Sequence, residues 1–312
     1  MSRLIPALAQ LLLFLVIAPL VTGLIRTMKA RFQTRRGPDI WQPYRDLYKL
    51  LNKGMVIPET ASWLFSATPY VVFLTAVLVG LMIPMVATEA PLSLFGGILA
   101  VVYLLALGRF FLALGGLDTG SSFGGLGSSR EMTISAIAEP AMMVAIFTVA
   151  IAANSTNLSE VARSAVGQSW RFLAPSQMLA FGALFIVLIA ETGRIPVDNP
   201  ATHLELTMIH EAIILEYSGP YLALIEWGAS LKQLVLMTLL INSFFPFGLS
   251  PGWTLPGVAI GLGFYLLKLL VVCCLIVLVE TTNAKMRLFR VPELLAVAFI
   301  LGALALISTF LF

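Results

Sequence analysis

The chain has 312 residues, of which 59% are hydrophobic and only 11% are charged, and its net charge at pH 7 is +3. Soluble domains carry roughly a quarter charged residues, so this composition excludes an ordinary soluble domain and is typical of a polytopic membrane protein. The net charge is small and confined to a few segments, so the sequence predicts no nucleic-acid partner.

Eight apolar runs are long enough to cross a bilayer as helices, which requires about 20 residues each. The alternation typical of a β-barrel is not visible, and helices are the other structure that satisfies its own backbone in lipid. The predicted fold class is all-α, with residues 1–312 forming one polytopic membrane bundle of about eight transmembrane helices. The predicted spans are 4–25, 69–88, 92–115, 132–153, 173–191, 221–246, 256–280 and 292–312.

Lysine and arginine are unequally divided between the two sets of loops. The loops after the odd-numbered spans carry thirteen of these residues, and the other side carries three, at Arg3, Arg163 and Arg171. Positively charged loops tend to remain in the cytoplasm. The sequence therefore predicts a multi-pass protein of the cell inner membrane with both termini outside the cytoplasm.

The first cytoplasmic loop, 27–68, mixes basic and aromatic residues. Trp41, Tyr44, Tyr48 and Trp63 lie among its seven cations. Two interpretations remain open: a loop on the membrane surface with snorkelling cations, or a docking surface for a partner subunit. The candidate interface residues here are Arg35, Arg36, Arg45, Asp46 and Lys49.

A second cytoplasmic loop is predicted over the glycine-rich segment 116–131. The stretch lacks the Gly-Lys-Ser/Thr of a phosphate-binding loop and does not follow a strand, so close approach of helices or a flexible element is the better prediction. Asp118, between its glycines, is a further candidate for the partner interface.

Several ionisable residues fall in or near the apolar spans, where a charge at the bilayer centre costs about 2.5–3.5 kcal/mol on insertion scales. Glu139 precedes Pro140, which frees a backbone carbonyl one turn back and admits polar groups. Arg109 and Glu280 lie near span ends, so they either snorkel or face the bundle interior. A static buried ion pair and a proton path are both open for the group as a whole. Its members are Arg109, Glu139, Glu226, Lys232, Lys268 and Glu280.

The third cytoplasmic loop, 192–220, is acidic. Residues 191–219 hold five of the sixteen acidic residues and both histidines, and an amphipathic helix is predicted over 200–217. The histidines either relay protons or lie on the surface of that helix, and their spacing does not predict a metal site. The candidate residues are Glu191, Arg194, Asp198, His203, Glu205, His210, Glu211 and Glu216.

Four motifs in order resemble a known family. They begin with Arg35-Arg36-Gly-Pro-Asp, Gly116-Leu-Asp-Thr-Gly-Ser-Ser, Arg194-Ile-Pro-Val-Asp198 and Glu216-Tyr-Ser-Gly219. The chain resembles the eight-helix membrane component shared by respiratory complex I, where it is the H or 1 subunit, and the energy-converting membrane-bound [NiFe] hydrogenases. Its first two motifs resemble the branch that contains hydrogenase-4 and formate hydrogenlyase.

This resemblance implies a non-catalytic subunit that anchors a soluble redox arm to the membrane and couples electron transfer to H⁺ or Na⁺ translocation. The family's charged path matches Glu139, Glu191, Arg194, Asp198, Glu205 and Glu216 in this sequence. We expect no cofactor bound by this chain, which lacks cysteine ligands for clusters. A [NiFe] centre and Fe–S clusters are expected in its partners. These are soluble hydrogenase-like large and small subunits, an Fe–S subunit and antiporter-like membrane subunits.

The chain also departs from many members of the family. It has Pro200-Ala-Thr-His203 where many relatives have Pro-Glu-Ala-Glu, and it carries an extra pair, His210-Glu211. Two alternative functions therefore remain open: a quinone-site subunit of an NADH:quinone oxidoreductase, and an independent secondary ion transporter. No internal repeat is visible between the two halves, which disfavours the transporter.

Overall fold

The computed structural model describes residues 4–166, 174–198 and 208–311. These residues form α-helices, two single-turn 3₁₀ helices and connecting loops without a β-sheet, which confirms the all-α class. The α-helices are α1 (Leu4–Phe32), α2 (Gln42–Leu51), α3 (Trp63–Met82), α4 (Ile98–Asp118), α5 (Ser122–Ala153), α6 (Leu158–Val166), α7 (Pro175–Glu191), α8 (His210–Ile213), α9 (Gly219–Phe244), α10 (Leu255–Thr282) and α11 (Val291–Leu311).

Seven helical segments among the described residues are long and apolar enough to cross a membrane, and α7 is a shorter apolar helix of 17 residues. Together they correspond to the predicted eight spans. The helices α5, α7 and α11 pack closely against one another, and α3 packs between α4 and α9. Several helices, such as α1, extend beyond the predicted spans. Their terminal turns contain polar residues, and a span predicted from hydropathy stops before such residues.

The prediction for the acidic loop is wrong in part. Residues 200–207 lie outside the described residues, and the described remainder contains only the four-residue α8 instead of a helix to residue 217. Ile213, Ile214 and Tyr217 enter a small core with Phe65. Their burial fixes an irregular path into α9, so tertiary packing overrides the helical pattern. The segment 27–68, predicted as a loop, contains the helix α2 and the adjoining ends of α1 and α3.

The prediction of a loop over residues 116–131 is also wrong. The helices α4 and α5 are separated only by residues 119–121, so most of the glycines are helical. The predicted close approach is confirmed, because a Cβ on Gly124 would collide with the carbonyl oxygen of Gly116. A Cβ on Gly127 would lie 2.9 Å from the oxygen of Ile209, so the same glycine face supports the residue before α8.

The two ends of the bundle differ in polarity. The charged end is where α1, α4, α7 and α10 finish and α9 begins, and it holds ion pairs between these helices. The opposite end is built from the loops 83–97, 154–157 and 245–254, which hydrogen-bond to one another or to the neighbouring helix starts. The candidate site lies at the charged end.

Candidate functional site

A cavity of about 210 Å³ opens at the charged end, between α1, α3, α4, α5, α7, α8, α9 and α10. Many of its walls are apolar, yet ionisable side chains enter it from almost every one of these helices. Such a concentration of charge inside a membrane bundle marks a functional site by default. The ionisable lining residues are Arg26, Lys29, Arg109, Glu131, Glu191, Arg194, Asp198, His210, Glu211, Glu226, Lys232 and Glu280.

Arg109, on α4, is the centre of the first group of charges. Its side chain is only 4% exposed, so it faces the bundle interior and does not snorkel. One terminal nitrogen donates hydrogen bonds to Glu191 and to the Ser135 hydroxyl at 3.0 Å, and the other donates to Glu139 at 3.0 Å. Arg109 therefore joins α4 to both α5 and α7.

Glu191, the last residue of α7, is shared by two cations. One carboxylate oxygen accepts from Arg109, and the other lies 2.9 Å from the Lys232 ammonium on α9. The Glu191 side chain is 2% exposed, whereas Glu139 is about one-third exposed, at 32%. Two carboxylates and two cations thus balance one another, which a low-dielectric interior requires.

Glu280, on α10, is the centre of a second group. Its two oxygens lie 2.9 Å from Lys29 on α1 and 2.9 Å from Arg194 after α7. The other terminal nitrogen of Arg194 donates to the Gln233 side chain on α9 at 2.8 Å. Glu280 is buried, so it also faces the interior and does not snorkel.

Asp198 ties three backbone segments together. It accepts hydrogen bonds from the Ile209 backbone N–H and from Lys285, both at 3.1 Å. Arg130 donates to the Met208 carbonyl at 3.1 Å and holds the same approach to α8. These contacts fix α8, and with it His210, against the mouth of the cavity.

Tyr217 fastens the segment after α8 to α3. Its ring stacks on Phe65 with the centroids 4.0 Å apart, and its hydroxyl donates to the Phe65 carbonyl at 3.3 Å. Burial raises the pKa of the Tyr217 hydroxyl above its usual value, so this group is a neutral hydrogen-bond donor at physiological pH.

The structure brings most of the predicted path residues to one place: Glu139, Glu191, Arg194, Asp198, His210, Glu211 and Lys232. Glu216 is half-buried beyond α8 and does not line the cavity, and Lys268 lies toward the opposite end of the bundle. His203 and Glu205 lie outside the described residues.

Sequence reasoning missed Glu131, Arg26 and Lys29 as parts of the site, although all three line the cavity. Glu131 had a detectable signal. It stands four residues before Ser135 and eight before Glu139, so the three residues share one face of α5.

The proposed partner surface has two kinds of residue. Arg35, Arg36, Arg45 and Lys49 are exposed around α2. Asp118, in contrast, accepts hydrogen bonds at 2.7 Å from both the backbone N–H and the hydroxyl of Ser62. It thereby fastens the start of α3 to the end of α4, and its role in an interface stays a prediction, as does that of Asp46.

The described residues contain no group of three or more histidine, cysteine or acidic side chains placed to hold a metal ion. Both cysteines are free, Cys273 buried and Cys274 exposed on α10. The ionisable groups that line the site are carboxylates, ammonium and guanidinium groups and the His210 imidazole.

The comparisons with known proteins agree with this architecture. The chain is 37% identical over 300 residues to hydrogenase-4 component C of Escherichia coli K12, covering 96% of this chain and 93% of the relative. It is 35% identical over 308 residues to formate hydrogenlyase subunit 4 of the same organism, covering 99% of both. The H subunit of the NADH-quinone oxidoreductase of Rubrobacter xylanophilus is 28% identical, covering 80% of this chain and 76% of the relative.

A solved structure has the same fold. A chain of the membrane-bound sulfane sulfur reductase, an archaeal respiratory membrane complex, superposes with a TM-score of 0.87 at 20% identity, covering 99% of this chain and all of that one. The family model described as NADH dehydrogenase matches residues 5–311. This polytopic membrane protein therefore belongs to the NADH dehydrogenase family, which includes the H or 1 subunit of complex I.

Proposed function

We propose that the chain is the membrane-anchoring and energy-coupling subunit of a complex I-like energy-converting hydrogenase. In this role it is non-catalytic, and it links electron transfer in a soluble arm to H⁺ or Na⁺ translocation. The identity to the hydrogenase-4 and formate hydrogenlyase proteins, 37% and 35% over nearly the whole chain, favours this branch over the 28% identical NADH-quinone oxidoreductase protein.

One observation carries the proposal: Glu191, buried beside the cavity, is shared between Arg109 and Lys232. Protonation of this carboxyl group removes the charge that holds both cations. Arg109 then has Glu139 as its remaining carboxylate partner, and Lys232 loses its ion pair with Glu191. A charge change at the cavity thus passes from α7 to α5 and α9 without a large movement of the backbone.

The charged end would face the cytoplasm, with both termini on the other side of the inner membrane. The soluble hydrogenase-like subunits and the Fe–S subunit would dock there, close to the exposed cations of α2, and would carry the [NiFe] centre and the clusters. Antiporter-like subunits would continue the charged path within the membrane. Asp198 would transmit a movement of the docked arm to the cavity, because its contact with Ile209 holds α8 beside the cavity.

The test uses the complete complex reconstituted in vesicles, with ion uptake and turnover measured together. Glu191→Gln and Glu139→Gln remove one negative charge each, so we expect assembled complexes whose turnover is uncoupled from ion uptake or stalled. Glu160→Gln is the matched control, because Glu160 lies on α6 outside the network. If both variants pump and turn over at wild-type rates, the path is wrongly placed.

The same preparation separates the two types of complex in this family. Hydrogen evolution without quinone reduction would support the hydrogenase assignment. Quinone-dependent turnover without hydrogen evolution would replace it with the quinone-site function.

A further inference from the structure

The opposite end of the bundle contains buried backbone that is not helical. Two segments, residues 83–90 and 245–251, together form what we call the plug. Its first segment is deeply buried, with Met85, Val86 and Ala87 fully inaccessible. The segments pair through the N–H of Thr88 with the carbonyl of Ser250 and the N–H of Ser250 with the carbonyl of Val86, each at 2.9 Å.

The plug reaches far along α10. A Cβ on Gly261 would lie 2.8 Å from the Val86 oxygen, and Lys268 bonds to Phe245 and Phe247. These positions are about 9 and 20 Å from Leu255, the start of the helix. Irregular backbone at such depth in a membrane is tolerated only where protein buries it or where it lines water.

Lys268 and Asn242 satisfy carbonyl groups of the plug. The Lys268 ammonium donates to the Asn242 side-chain oxygen at 3.1 Å and to the carbonyls of Phe245 and Phe247 at 3.0 Å each. The Asn242 amide donates to the carbonyls of Pro84 and Met85 at 2.8 and 2.9 Å. One lysine and one asparagine thus join α9, α10 and both segments.

These contacts match the charged form of Lys268. An ammonium has three N–H donors, and all three have oxygen acceptors here. A neutral amine has two N–H groups and a lone pair, so it would turn that lone pair toward one of the oxygens. Within the described residues Lys268 takes part in no ion pair, and its charge rests on the three oxygens and on the Phe247 ring, 5.2 Å away.

Three buried polar side chains on α9 lie between the site and the plug. Gln233 bonds Arg194, Thr238 shares a hydrogen bond of 2.6 Å with Tyr265, and Asn242 follows one turn later. They cover about 14 Å along the helix. The last of them, Asn242, bonds to both the plug and Lys268.

We propose that the plug, with Lys268 at its centre, is a barrier to cations that closes the opposite end of the bundle and leaves only lateral exits for the ions. This inference rests on the proposed coupling function. A positive charge in a membrane passage is a known way to exclude protons and other cations. Lys268, a predicted member of the proton path, is here its end point.

The test measures passive proton leak through the complete complex in vesicles, without electron donor, under an imposed potassium diffusion potential. Lys268→Met and Lys268→Gln remove the charge, and glutamine keeps two donors for the carbonyls. We expect the leak to rise about tenfold in both, which corresponds to a barrier that is lower by about 1.4 kcal/mol. Lys268→Arg, the charge-conserving control, stays as tight as the wild type.

A second variant disturbs the plug without touching the charge. Gly261→Ala places a methyl group against Val86, so we expect it to leak as well. If vesicles with both neutral variants stay tight to protons, the barrier proposal is overturned. It is also overturned if a neutral variant stays tight but no longer pumps, because Lys268 would then be a proton carrier. The leak is measured without turnover, so the result does not depend on whether Glu191 carries protons.

Discussion

Replacing Arg109 with methionine tests the organisation of the site most directly. The substitution keeps much of the side-chain volume but removes the hydrogen bonds to Glu191, Glu139 and Ser135. Two carboxylates that shared one guanidinium are then left close together, with Lys232 as the remaining cation. The network changes from neutral to a net charge of −1.

The size of the effect follows from burial. Removing one partner of a buried ion pair costs about 3–5 kcal/mol. Glu191 keeps Lys232, and Glu139 is partly solvated, so we expect the lower limit, about 3 kcal/mol. In chains of 150–250 residues each kcal/mol shifts the melting temperature by about 2–4 °C, and this chain is longer, so the expected fall is about 6 °C.

The assay is the melting temperature of the purified complex, followed by loss of this subunit from it. Arg163→Met is the control, because Arg163 is exposed on α6, outside the proposed docking surface, and should change little. Adding Glu139→Gln to Arg109→Met restores neutrality and should recover part of the loss. Equal melting temperatures for Arg109→Met and Arg163→Met, or no recovery in the double variant, would refute the reasoning.

Two further predictions concern the surroundings of the site. Gly124→Ala should lower the yield of assembled subunit because its methyl group meets the Gly116 carbonyl, whereas Gly125→Ala, with open space around it, should be neutral or stabilising by about 0.5–1 kcal/mol; equal yields would contradict this. The raised pKa of Tyr217 implies stability that is present below the unfolded-state pKa of about 10 and lost as pH rises above it. Between pH 8 and pH 11 the melting temperature should therefore fall less in Tyr217→Phe than in the wild type. Identical pH profiles for the two proteins would contradict this prediction.

The fold was largely predictable from the sequence. Lipid leaves few structures to an apolar chain, so run length alone predicts the number of membrane spans. The glycine-rich segment shows the limit of this approach. Composition suggested a loop, but in a membrane glycine also permits close backbone contact, as Gly124 and Gly116 show. Local sequence does not distinguish the two uses, because the contact joins residues on different helices.

The site was predictable as a set of residue types but not as a set of partners. The scarcity of charge in apolar spans identified Glu139, Lys232 and Glu191. Hydropathy could not decide whether Arg109 and Glu280 snorkel, since that depends on which helix lies beside each of them. Lys29 was missed because it lies among surface cations in sequence, and only the fold places it against Glu280.

The order of charges along the chain has a consequence for biogenesis. Arg109 enters the membrane first, followed by Glu139, then Glu191 and finally Lys232. Segments made first fold first during synthesis. The α4–α5 hairpin can neutralise its arginine as soon as both helices have emerged, because Glu139 is on the second of them. Glu191 then adds a negative charge that Lys232 compensates two helices later, so the last cation to be inserted completes the balance of the cluster.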